Sequence, residues 1–260
     1  MEYTNKFVIV EKKEPHIAVV TLSNPPLNLV TLDMSSEILE TMRKIDEDNE
    51  VRVVVLTGVP DKAFSAGSDI KEFPKVADNV IDKKLRNENK AMDSLEFLSK
   101  PVIASIEGIA LGGGFEMSLA CDLRVISENG KIGLPEINLG VFPGSGGLFR
   151  LTRLIGPSRA LEMMYTGRTI TAMEAKNLGL VNRVAPQGKA LEVALELAAE
   201  IAVKPFQALK LIKQAVREIG HLPTAECNLQ NLEYSRFIFQ TPDCVEGVDA
   251  FMNKRKPNFQ

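Results

Sequence analysis

The chain has 260 residues, 45% of them apolar and 25% charged, with 31 basic against 34 acidic side chains and a formal net charge of -3. A chain of that length can be held together by a hydrophobic core alone, and Cys121, Cys227 and Cys244 contain no C-x-x-C pair to suggest a disulfide framework or a structural zinc. The balanced charge argues against a surface built to neutralise nucleic-acid phosphates, and no run is apolar enough to cross a bilayer, so a cytoplasmic protein is expected.

In chain order, β-branched runs predict strands over Phe7 to Val10, Ile17 to Leu22, Val53 to Thr57, Val102 to Glu107 and Leu123 to Ser127. Between the second and third, Met34, Ile38, Met42 and Ile45 recur at helical steps behind a polar start at Thr31 and Asp33. A second helix is expected over Val80 to Leu98, with Ile81, Leu85, Met92 and Leu95 near one face and Asp82, Lys83, Lys84, Arg86, Glu88 and Lys90 spread over the other. After Gly156 the composition turns helical: Thr171 and Glu174 are spaced as a capping box, and Lys189 to Val203 and Phe206 to Ile219 are amphipathic. Thr241-Pro242 opens a last helix through Phe251. These features predict an α/β fold with a sheet-based core to about residue 200 and a helical region over 201–260.

Glycines mark where chemistry could sit. Gly112-Gly113-Gly114 precedes the compact stretch Phe115 to Cys121, and amides at such a helix start are suited to an anion or a developing oxyanion. A flexible turn or close backbone packing would explain the glycines equally well. Glu116 shifts the balance: a carboxylate in an apolar helix, one turn from that junction, is desolvated and its pKa should rise. A second carboxylate, Glu136, lies among Leu134, Pro135 and Ile137, ahead of the glycines that open a helix over Leu148 to Ile155. Two such acids suit general acid/base work on an activated carbonyl compound, although spacing leaves open whether they converge. A third loop, Ala63 to Ile70, is expected at the carboxyl end of the strand Val53 to Thr57.

Competing signatures fail. There is no G-x-x-x-x-G-K-[ST], and Phe149 stands where a G-x-G-x-x-G would need its last glycine. The G-x-S-x-G elbow is missed at Ser65 and at Ser145, only His16 and His221 could act as a triad base, and no metal-ligand cluster is readable.

Several of these segments, in this order and spacing, resemble the enoyl-CoA hydratase/isomerase (crotonase) family. They are Asn24 to Asn28, Phe64 to Lys71, Ile106 to Glu116, Ala120 to Asp122, Leu134 to Glu136, Pro143 to Gly147 and Gly247 to Phe259. The resemblance implies a crotonase-like spiral of ββα units with a helical C-terminal trimerisation region, forming a homotrimer or a homohexamer built as a dimer of trimers. It further implies an acyl-CoA substrate, with no separate cofactor because coenzyme A is part of that substrate, and no nucleic-acid or membrane partner.

By position, the backbone N–H groups of Ser68 and Gly113 resemble the family's oxyanion hole, and Glu116 and Glu136 match the two glutamates of its hydratases. The implied roles are that Glu116 orients and deprotonates water while Glu136 handles the proton at the α carbon. Coenzyme A contacts carried over are Leu27, the loop Ala66, Ser68, Asp69, Ile70 and Lys71, Gly113, and, from a neighbouring subunit, Phe251 with Lys254. Leu29 and Val30 after Asn28, and Phe142 before Pro143, depart from common family residues and bear on acyl preference. The activity so implied is hydration of 2-enoyl-CoA. Its alternatives are isomerisation of 3-enoyl-CoA, hydration of methylglutaconyl-CoA, or an RNA-binding role of the kind thought to use a lysine-rich helix, for which Val80 to Leu98 is charge-balanced.

Overall fold

The computed structural model describes residues 3–59, 63–219 and 222–259, so His221 lies outside the described residues. The chain opens with the short strand β1 (Tyr3–Thr4), the hairpin β2 (Val8–Lys13) and β3 (Ile17–Leu22), then helix α1 (Leu32–Glu47) and β4 (Val53–Gly58). Thr31 caps α1, its hydroxyl accepting from the Met34 amide, and Met34, Ile38, Met42 and Ile45 are all buried as their spacing requires.

From β4 onward the path repeats. A strand of a large sheet leads into a three-residue strand of a small one and then into helix. β4 is followed by β5 (Ala63–Ser65), α2 (Phe73–Val76), a π-type turn Ile81–Leu85 and α3 (Arg86–Glu96). Next come β6 (Val102–Ile106), β7 (Ile109–Leu111) and α4 (Gly113–Ala120), then β8 (Leu123–Ser127), β9 (Lys131–Gly133), α5 (Gly147–Ile155) and α6 (Pro157–Thr166). The chain closes with β10 (Thr169–Thr171), α7 (Ala172–Asn177), β11 (Arg183–Ala185), α8 (Ala190–Ala202), α9 (Phe206–Ile219), α10 (Thr224–Ile238) and α11 (Pro242–Met252).

The large sheet has the order β1-β2-β3-β4-β6-β8-β11, and the small one β10-β9-β7-β5. Both faces of the large sheet are covered, which is why its central strands read as unbroken β-branched runs. Val54, Leu56, Ala104 and Ile106 point into the main core, while Val53, Val55, Ile103 and Val125 pack against Ala190, Ala194, Ala198 and Ala202 of α8. Those alanines recur every four residues and let the helix lie close on the strands.

Helices α9 and α10 bury no residue of their own. α9 is tied to the core largely by charge: Lys213 and Arg217 reach Asp122, and Arg217 also reaches Glu96. Ile212, Val216, Leu229, Leu232, Val248 and Phe251 are left exposed. Among the described residues, no helix is long and apolar enough to cross a membrane.

Three expectations need correction. The loop expected over Ala63 to Ile70 does not leave the strand Val53 to Thr57 directly: Ala63–Ser65 form β5, and residues 66–70 depart from the small sheet. Val80 to Leu98 is not one helix with an apolar face and all its charges on the other, but a π-type turn followed by α3. Ile81 is exposed, whereas Lys84 and Glu88, expected on the wet face, are buried to 2% exposure. The capping box at Thr171 is half formed: the Glu174 amide donates to its hydroxyl, but the Glu174 carboxylate turns to Arg168.

Candidate active site

β5, β7 and β9 are adjacent parallel strands, so their carboxyl ends emerge side by side at one edge of the small sheet. β5 delivers the loop with Ser68, β7 delivers Gly112 and the start of α4, and β9 delivers Pro135 and Glu136. This shared edge is what brings together three loops scattered over some seventy residues of sequence.

The first two loops touch. A Cβ built on Gly67 would lie 2.8 Å from the Leu111 carbonyl oxygen and 3.2 Å from the Gly113 nitrogen, and one on Gly113 would lie 3.6 Å from the Ser68 nitrogen. Gly67 also has φ +96°, a conformation that L side chains rarely adopt. Neither the Ser68 nor the Gly113 amide donates to a backbone carbonyl among the described residues. Two free donors thus sit on adjoining backbones, with the helix dipole of α4 behind one of them.

Both border a cavity of about 590 Å³, as do Glu116 and Glu136. The two acids, whose convergence the spacing left open, therefore share one chamber. Glu116 is 2% exposed, and its Oε1 accepts from the Ser145 amide at 2.8 Å and the Gly147 amide at 2.7 Å. Burial pushes its carboxyl up to about 8; the Glu136 and Glu88 charges reinforce that, against the pull of the two amides. Glu136 is raised as well, by burial. Both its oxygens are buried without a hydrogen-bond partner among the described residues, and Oε1 lies near Gly112, where a Cβ would approach it to 3.3 Å. A half-buried acid whose oxygens lack such partners is one whose hydrogen-bonding capacity is left for a ligand.

The other residues carried over divide. Ala66 and Ile70 line the chamber, and Leu27 adjoins it, its carbonyl accepting from the Ala66 amide at 2.9 Å. Asp69 turns back to cap its own loop, accepting from the Lys71 amide at 3.0 Å, and neither it nor Lys71 borders the chamber. Phe251 and Lys254 do not reach it within one chain; Phe251 is 82% exposed and borders a separate apolar hollow with Pro205, Val248 and Phe259. Arg255, in the basic run after Lys254, pairs with Glu246 and Asp249 on α11. Among the described residues no cluster could hold a metal ion.

Sequence reasoning missed Lys84 and Glu88, which also line the chamber. A signal was present: Glu88 stands four residues before Met92 and seven before Leu95, on the same buried stripe. Ser145, given no role above beyond a failed nucleophile elbow and a place in the segment Pro143 to Gly147, is a fixture of the wall: its amide holds Glu116 and its hydroxyl donates to Glu88 at 2.9 Å. His16 lies on the turn after β2, its Nδ1 3.0 Å from the Glu50 carbonyl.

Comparison with known proteins agrees with this geometry. The sequence profile described as enoyl-CoA hydratase/isomerase matches residues 12–260. The chain is 38% identical over 264 aligned positions to the short-chain-enoyl-CoA hydratase of Clostridium acetobutylicum, covering 98% of this chain and 97% of that one. It is 36% identical over 262 positions to the crotonyl-CoA hydratase of Syntrophomonas wolfei, covering 100% and 99%. The crystal structure of an enoyl-CoA hydratase from Bacillus anthracis superposes with a TM-score of 0.94 at 38% identity, covering 98% of this chain and 99% of that chain. The expected crotonase-like fold is borne out, and the repeating strand, strand, helix path is its ββα spiral. By profile, sequence and fold together, this chain belongs to the enoyl-CoA hydratase/isomerase family.

Proposed function

We propose that the chain is an enoyl-CoA hydratase, adding water reversibly to a trans-2-enoyl thioester of coenzyme A to give the 3-hydroxyacyl thioester. The observation that carries this reading is one chamber bordered by the buried Glu116, the half-buried Glu136 and two adjoining, unengaged amides. The Ser68 and Gly113 N–H groups receive the thioester oxygen, whose charge grows as water attacks the β carbon. Glu116, held by the Ser145 and Gly147 amides, orients that water and takes its proton. Glu136 supplies the proton that the α carbon gains.

The acids must differ in protonation for this cycle to run, and two like charges around one chamber favour a state in which one is ionised and the other is not. The short-chain and crotonyl substrates in the relatives' names make a four-carbon thioester the first to try. Mixing the protein with crotonyl-CoA should lower the absorbance of the conjugated enoyl thioester to an equilibrium value; unchanged absorbance at high enzyme concentration would count against hydration. Coenzyme A enters as part of the substrate, and no additional cofactor is proposed.

We also propose that 1–200 form the acyl-CoA core and 201–260 an oligomerisation region. The exposed apolar side chains of α9, α10 and α11 favour burial against further copies. Sedimentation equilibrium should give three or six times the chain mass, and the monomer mass at micromolar concentration would overturn this assignment.

A further inference from the structure

The chamber holds an ion pair that the hydration scheme does not use. Lys84, in the π-type turn, and Glu88, in α3, are each 2% exposed and lie 2.9 Å apart from Nζ to Oε1. Lys84 also reaches Glu72 at 3.4 Å. Burying two charges is costly, and an apolar pair of similar volume would commonly stabilise a fold as well or better. Stability alone is thus a weak reason for these residues to be here.

The hydrogen bonds suggest another. Glu88 Oε1 accepts from the Ser68 hydroxyl at 3.1 Å, and its Oε2 accepts from the Ser145 hydroxyl at 2.9 Å. Ser68 belongs to the loop leaving β5, and Ser145 to the loop entering α5, whose amides hold Glu116. We infer that Glu88, clamped by Lys84, is a positioning residue that ties the loop presenting the Ser68 amide to the loop holding Glu116. One carboxylate then fixes the spacing between the oxyanion donor and the water-activating acid. This inference rests on the hydratase reading for what those two groups do, and on the hydrogen bonds alone for the tie itself.

Charge is part of the device. Glu116 faces the Ser145 and Gly147 amides at the entry to α5, Glu136 from beyond β9, Glu88 from α3 and Arg150 from α5. Through Ser145, whose carbonyl oxygen also accepts from Arg150, Glu88 is joined to Glu116. Its negative charge helps to keep the Glu116 carboxyl high.

The test compares the wild type with Glu88→Ala, Glu88→Gln, Ser68→Ala and the Glu88→Ala/Ser68→Ala double variant. With crotonyl-CoA, Glu88→Ala should lower kcat at least about tenfold while KM moves less than about threefold, because reacting groups are misplaced and not removed. Ser68→Ala keeps the backbone amide yet should also lower kcat. Added to Glu88→Ala it should cost less than about twofold more, since both act through one tie. Glu88→Gln keeps an acceptor and loses the charge, so the Glu116 carboxyl should titrate lower. That shift is read without substrate from carbon-13 carboxyl resonances, with Glu116→Gln supplying the assignment.

A folded Glu88→Ala with kcat within about twofold of wild type, full additivity with Ser68→Ala, or an unmoved Glu116 titration would each overturn the inference. If Glu88→Ala does not fold, Lys84→Met/Glu88→Met removes both charges at similar volume and is read by the same kcat and KM criteria. A wild type that hydrates no enoyl thioester would sink the hydratase reading, leaving the carboxyl titration to decide on Glu88.

Discussion

Replacing Glu116 by Gln should lower the hydration rate at least about a hundredfold while making the protein more stable. The loss follows because the amide of glutamine cannot take a proton from water, although it can still accept from the Ser145 and Gly147 amides at the position of Oε1. An enzyme that mainly isomerises 3-enoyl thioesters through Glu136 would keep its activity in this variant, so the same measurement separates the two activities of the family.

The gain in stability has a definite pH dependence. The folded state raises the Glu116 carboxyl from 4.5 to about 8, so it binds that proton more tightly than the unfolded chain does. The favourable contribution is complete below the unfolded value and is lost as pH rises toward the folded one. Glutamine has no such loss. The variant should therefore melt higher than wild type by at least roughly 3 °C near pH 9, with a smaller difference near pH 5. Catalysis should follow the opposite trend in the wild type, kcat/KM rising with pH toward about 8 as the base form of Glu116 fills. A variant that melts no higher than wild type at alkaline pH would show that the ionised acid carries no burial cost.

Gly67→Ala should lower kcat by about a hundredfold or more, with KM less affected, the size of effect expected when one oxyanion donor is lost. A methyl group there would meet the Leu111 carbonyl at 2.8 Å and sit at φ +96°, so the backbone must move. The residue it would displace first is Ser68, whose amide is one of the two proposed donors. Gly179→Ala is the control: its φ of +76° carries the same kind of backbone cost, but nothing lies within 4 Å of the new methyl. It should lower the melting temperature and leave kcat unchanged. Equal kcat losses in the two variants would mean that general destabilisation, and not donor placement, is being measured.

Five strands of the large sheet, β2, β3, β4, β6 and β8, were legible in the sequence because they are five or six residues long and rich in β-branched side chains; β1 and β11, with two and three residues, were not. α1 was legible because its stripe is long. The small sheet was not. β5, β7 and β9 have three residues each, too few to display a period, and they are short because each needs only to carry the chain from the core to a loop. Missing them misplaced the origin of the Ser68 loop, although its residues were picked out correctly.

Glu116 and Glu136 stood out because a carboxylate among apolar neighbours is conspicuous. Lys84 and Glu88 did not, since they lie within a run of exposed charges: Glu88 is marked only by its spacing to Met92 and Leu95, and packing alone distinguishes Lys84 from Lys83. Helices α6 and α10 were passed over individually. α10 spreads its apolar residues around the helix and shows no clear stripe, whereas α9, which also buries none of its residues in one chain, does show one.

Hydrogen-bonded neighbours in a sheet stand about 4.8 Å apart, a distance set by peptide geometry and indifferent to side chains. With Ser68, Gly113 and Glu136 each suspended beyond its own strand, the small sheet acts as a ruler whose graduations are main-chain spacings. Exchanging the acid at one graduation leaves the amides at the other two where they were. Such a scaffold can be given a different reaction by changing one side chain at its margin while its grip on the thioester stays the same.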